Sequence, residues 1–118
     1  AGVDVAYDSV GQSTWERSMN SLKPRGYLVL FGNASGAVPP IDPLLLSQKG
    51  SLFLTRPTLA SHTLTREELE GRANDILGWV ASGDLSIRID RTVPLANTED
   101  AHRALESRAT KGKVLIQP

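Results

Sequence analysis

Three short segments hold the residues of this chain best suited to chemistry: Asp8-Ser9-Val10-Gly11, Phe31-Gly32-Asn33-Ala34-Ser35-Gly36, and Leu54 with Thr55-Arg56-Pro57. Each closes a short apolar run, Val3 to Tyr7, Tyr27 to Leu30 and Ser51 to Leu54. Small, hydroxyl, amide and glycine residues let the backbone approach a ligand and hold a flat polar group such as a carboxamide or a ribose. Any one segment alone is ordinary turn chemistry. Three of them at the ends of successive strands favour a binding rim, because ligands of open α/β sheets sit outside the carboxyl ends of the strands.

The other candidates are weaker. Asp8, at a strand end, has the chemistry of a base or metal ligand, although a turn aspartate accepting backbone amides is the commoner use. His62 and His102 stand far apart in a chain without cysteine. Neither has a second imidazole or a thiolate spaced for zinc, so both read as surface or helix histidines. Gly32-x-x-x-Gly36 lacks the spacing and the following helix of a dinucleotide fingerprint, and no P-loop is present. No nucleophile elbow and no carboxylate pair for glycoside chemistry occur. Arg108, late in the last expected helix, complements the helix dipole, or else contacts an anion or carboxamide.

The bulk properties bound the answer. The chain has 118 residues, 13 Lys plus Arg, 13 Asp plus Glu and no cysteine. That length supports one core. Balanced charge gives no long-range attraction to nucleic acid or an anionic membrane. The absence of cysteine removes disulfides, thiolate metal sites and thiol catalysis, and fits a cytoplasmic setting. No apolar run reaches the length of a membrane span. The chain enters a strand-like run two residues after Ala1, which suggests a piece of something longer.

The elements that must position these residues follow from pattern. Ser13-Thr14-Trp15-Glu16 has the form of a capping box, and Trp15, Met19 and Leu22 fall at helical spacing, predicting a helix over about 14–23. Pro24-Arg25-Gly26 then turns the chain into a second strand, giving a strand-helix-strand crossover with parallel strands. Asp42 and Pro43 open a short helix through Leu44, Leu45 and Leu46 that Gly50 closes. Pro57 makes the third strand an edge. Thr65-Arg66-Glu67-Glu68 is a second capping box, opening a helix over about 66–82 that stops at Gly83. Leu85 to Ile89 alternate as a half-exposed strand. Asn97 or Thr98 opens a last helix, and Lys113 to Ile116 form a final strand.

Taken together, Gly2 to Gly11, Phe31 to Gly36, Ser51 to Leu59 and Ala101 to Arg108 resemble the C-terminal part of a quinone oxidoreductase. The family is the zinc-independent, ζ-crystallin-like branch of the medium-chain dehydrogenase/reductases. The likeness runs essentially end to end. It implies the second half of a doubly wound, Rossmann-type parallel sheet with helices, followed by a C-terminal helix and short strand. Residues 1–118 would then be a partial nucleotide-binding domain with a return segment over about 85–118, lacking the N-terminal catalytic domain and the glycine-rich fingerprint.

The resemblance further implies metal-free hydride transfer from NADPH to a quinone or enone in the cytoplasm. The cofactor contacts would be Ser9, Phe31, Gly32, Asn33, Leu54, Thr55 and Arg108. It also implies a homodimer joined through the strand Ser51 to Thr55, with no nucleic-acid or membrane partner. In isolation the chain is expected to be inactive. The alternative is a non-catalytic module that dimerises through its edge strand.

Overall fold

A computed structural model describes residues 1–118, which divide into two compact units, Ala1–Leu64 and Thr65–Pro118. The first contains β1 (Val3–Asp8), α1 (Trp15–Asn20), β2 (Leu22–Leu30), α2 (Pro43–Gln48) and β3 (Phe53–Thr55). A short 3-10 turn, Leu59–His62, follows β3. The strands lie in the order β1-β2-β3, and both pairings are parallel, as the crossover pattern requires. Asp8 pairs with Leu30, and Val29 with Thr55, so all three strands end at one edge of the sheet. β3 pairs with β2 alone and is an edge strand, as expected.

Alternation along β2 decides where the core sits. Leu28 and Leu30 are buried with Met19 of α1 and with Leu52, while Trp15, Leu45, Leu46, Val38 and Ile41 pack around them. These helix-side contacts are the only substantial core of the unit. On the opposite face Val3, Val5, Tyr7, Tyr27 and Phe53 remain 40–73% exposed. The Tyr27 and Phe53 rings stack there at 4.5 Å, as neighbouring residues on adjacent strands can.

Two local expectations are corrected. The Ser13 capping box does not form: Thr14 is the N-cap and its side chain caps no amide of the helix. Instead the Thr14 hydroxyl donates to Asp8, and the Ser13 amide donates to Ser35 Oγ. Nor does Pro24-Arg25-Gly26 precede the strand. β2 already begins at Leu22, opposite Val3, and the register then shifts so that Val5 meets Tyr27. The intervening residues form a bulge, where a proline without an amide is tolerated. Arg25 takes φ +63° there, and its amide donates to the Gly50 carbonyl at 2.8 Å. The expected α2 is present, with Asp42 Oδ1 accepting from the Leu44 amide at 2.9 Å.

The second unit contains α3 (Arg66–Ser82), β4 (Ile89–Pro94), a 3-10 turn (Leu95–Asn97), α4 (Thr98–Glu106) and β5 (Lys113–Gln117). The Thr65 capping box is complete: Thr65 Oγ1 accepts from the Glu68 amide at 3.2 Å, and Glu68 Oε2 accepts from the Thr65 amide at 3.3 Å. The helix ends at Gly83, whose φ of +86° is the left-handed stop that glycine supplies. The strand expected over 85–89 lies instead at Ile89–Pro94, paired in parallel with β5. Leu85, just past the helix end, is held back by its amide, which donates to the Trp79 carbonyl in the last turns of α3 at 2.9 Å. Val93 and Ala101 are the buried residues of this unit. No helix of the chain is long and apolar enough to cross a membrane.

Candidate functional site

The strand-end edge of the first unit is organised around Asp8, which is 4% exposed. Its Oδ1 accepts from the Val10 and Gly11 amides at 2.8 and 2.9 Å. The Ser18 hydroxyl donates to Oδ2 at 2.7 Å, and the Thr14 hydroxyl donates to the same oxygen at 2.8 Å. Burial by itself pushes this carboxyl up, but the Gly11 amide, the Ser18 and Thr14 hydroxyls and the Val10 amide outweigh it and hold the group at about 2. A carboxylate with its lone pairs so occupied is a brace for the turn after β1. It does not act as a base.

The braced turn in turn holds the loop after β2. Phe31 donates to the Asp8 carbonyl at 2.9 Å, Ala34 to the Ser9 carbonyl at 3.2 Å, and Ser35 to the Val10 carbonyl at 2.8 Å. Gly32 lies so close to β1 that a Cβ built there would stand 2.2 Å from the Ser9 carbonyl oxygen. Only glycine permits that approach. The result is a ledge of backbone from two strand ends, fixed by these internal bonds.

Ser9, Gly32, Asn33, Leu54 and Thr55 therefore meet along one edge, with Phe31 half exposed beside them. Ser9 Oγ, the Asn33 carboxamide and Thr55 Oγ1 make no internal bond, in contrast to the committed side chains of Asp8, Thr14, Ser18 and Ser35. Below the rim a groove of about 380 Å³ is lined by Leu30, Asn33, Val38, Ile41, Leu54 and Arg56, among others. Its size suits a planar ring system.

Arg108 belongs to the second unit, and its expected place is corrected. It follows the C-cap Ser107, outside α4, with φ +56° and its amide donating to the Leu105 carbonyl at 3.1 Å. Sequence reasoning assigned the contacts of the third strand-end segment to Leu54 and Thr55 and gave no role to Arg56. Its guanidinium donates to the Leu30 carbonyl at 2.6 Å and lines the groove. The available signal was a cation one residue past a strand end that was already suspected of binding.

A parallel sheet with crossover helices, its strands ending at one edge above an apolar groove, defines an open α/β domain of the Rossmann type. More particularly, the family described as zinc-binding dehydrogenase matches residues 1–116, and the chain belongs to that family. Quinone oxidoreductase 1 of Escherichia coli is 47% identical over 118 residues, covering 98% of this chain and 36% of that protein. A 2-haloacrylate reductase from a Burkholderia species is 36% identical over 118 residues, covering 99% of this chain and 35% of that one. The crystal structure of E. coli quinone oxidoreductase complexed with NADPH superposes with a TM-score of 0.88 at 46% identity, over 99% of this chain and 36% of that chain.

These matches bear out the resemblance to quinone oxidoreductases and the Rossmann-type reading of the fold. The chain spans about a third of the length of the curated relatives it matches. The zinc in the family description finds no donor set among these residues: there is no cysteine, and no three His, Asp or Glu side chains gather to hold a metal.

Proposed function

We propose that this chain forms one wall of the nicotinamide cleft of an NADPH-dependent, zinc-independent reductase whose acceptor is a quinone or related enone. The observation that carries the reading is the set of uncommitted polar side chains, Ser9, Asn33 and Thr55, on a rigid strand-end ledge above an apolar groove. The 46% identity to a protein complexed with NADPH supports that choice of ligand. When bound, NADPH supplies the hydride.

The chain's own part is positioning. Ser9 and the Asn33 carboxamide orient a flat polar group, Gly32 keeps the ledge low enough for close approach, and Phe31 and Leu54 shield it from water. The backbone at Leu54 and Thr55 closes the end of the rim, and Arg108 belongs to the proposal as a further cofactor contact. Asp8 moves no proton, since its carboxylate is fully engaged. Dimerisation through the free edge of β3 belongs to the same proposal, as an unpaired edge is a template for self-association. So does a cytoplasmic setting, consistent with a chain without cysteine.

An amide-resolved NADPH titration of the chain tests the reading. Shifts should fall on Ser9, Phe31 to Asn33, and Leu54 to Thr55, with affinity weaker than low micromolar because one wall alone supplies few contacts. Shifts absent from those residues at millimolar NADPH overturn the site. Sedimentation at high concentration tests the dimer, and a strictly monomeric chain refutes it.

A further inference from the structure

The groove beneath the rim is mainly hydrocarbon, with Leu30, Val38, Ile41 and Leu54 on its walls and Asn33 and Arg56 as its strongly polar side chains. One arm of the Arg56 guanidinium is engaged by the Leu30 carbonyl at 2.6 Å. A guanidinium has five N–H donors, and a carbonyl neutralises none of its charge. Arg66, Arg91 and Arg103 are each paired with a carboxylate, Glu70, Asp90 and Glu99 respectively. Arg56 is in no ion pair, and the groove contains no acidic side chain. An exposed cation tethered to Leu30, outside any ion pair and at the edge of an apolar groove, is complementary to an apolar body that carries an anion.

We infer that Arg56 is the anion-recognising residue of this groove and that the acceptor it favours is a flat apolar molecule bearing a carboxylate. The inference rests on the groove being the acceptor side of the proposed cleft, and it narrows the class of acceptor. The bond to Leu30 ties the arginine to the end of β2, so its remaining donors are held in place before a ligand arrives. Less side-chain freedom is then lost on binding than for an untethered arginine. The same oxyanion chemistry occurs in a free phosphate. The apolar walls are what distinguish the two, since phosphate gains nothing from them.

The test is a titration of the isotope-labelled chain with naphthoate, naphthamide and inorganic phosphate, followed at the amides of Leu30, Asn33, Val38 and Leu54. Naphthoate should shift these amides and bind ~10-fold more tightly than naphthamide, as a charge-assisted pair does relative to a neutral one. Phosphate should leave them unmoved at the same concentration. Arg56→Gln, which keeps an N–H for the Leu30 carbonyl but loses the charge, should bind the two aromatic probes equally, and Arg56→Lys should restore part of the preference.

Equal binding of naphthoate and naphthamide by the unmutated chain overturns the inference. So does a preference that survives Arg56→Gln, or phosphate binding as tightly as naphthoate. Should Arg56→Gln not fold, the comparison on the unmutated chain decides. No nicotinamide nucleotide is present, so the two readings fail separately. An uncharged acceptor defeats this one alone, whereas NADPH shifts missing from the rim defeat the other.

Discussion

Asp8→Asn should destabilise the first unit by an amount that shrinks as the solution is acidified. The folded carboxyl is held at about 2 against its usual 3.8. That difference is worth about 2 kcal/mol of folding stability near neutral pH. A carboxyl held down in the folded state stabilises above its unfolded value, and the contribution disappears as pH falls through its folded value. The gap between the parent chain and Asp8→Asn should therefore be about 2 kcal/mol at pH 7, close to half that at pH 3, and nearly gone at pH 2. Urea unfolding across this range, followed by tryptophan emission, measures it. Asparagine can still accept from the Val10 and Gly11 amides, so what the variant removes is the charge. A gap that stays constant from pH 7 to pH 2 would refute the account, because it would assign the cost to packing alone.

Four further outcomes are expected. Gly32→Ala should cost about 2–4 kcal/mol in urea unfolding, since the new methyl forces apart the strand ends and their three backbone hydrogen bonds. Gly78→Ala, in α3 with nothing near its missing Cβ, should stabilise by about 0.5–1 kcal/mol in the same assay. Thr65→Ala should cost about 1 kcal/mol by loss of the N-cap bond, seen as an earlier loss of helical circular dichroism on heating. Arg108→Gly should raise stability by up to about 1 kcal/mol by relieving its left-handed backbone, while weakening any NADPH shifts in the titration above.

The Thr65 box and α3 were legible because both partners of each contact lie within one helical turn. The Ser13 box failed for a non-local reason: the Ser13 amide is tied to Ser35 Oγ in the loop after β2, and Thr14, which takes the N-cap position, gives its hydroxyl to Asp8 on the preceding strand. Alternation placed a strand at Leu85 to Ile89, but pairing with β5 decides strand position, and the partner residues Val114 to Gln117 lie more than twenty positions away.

The rim residues Ser9, Asn33 and Thr55 could be read from the recurrence of polar segments after apolar runs. Their freedom from internal bonds could not, because it depends on what Asp8 and Ser35 already bind. Arg56 was hidden because its segment was read through Leu54 and Thr55 as contacts and through Pro57, whose missing amide marks an edge strand. Only the fold shows that cation turned onto Leu30.

The lopsided sheet has a practical consequence for anyone handling this polypeptide. With Tyr27 and Phe53 stacked on an uncovered oily surface, dyes that brighten on contact with hydrocarbon will bind the native state. A melting curve recorded with such a dye would start bright and show little rise on denaturation. Intrinsic emission serves better: Trp15, partly buried, packs beside the Met19 cluster and Trp79 stands half exposed on α3, so each unit carries its own indole reporter.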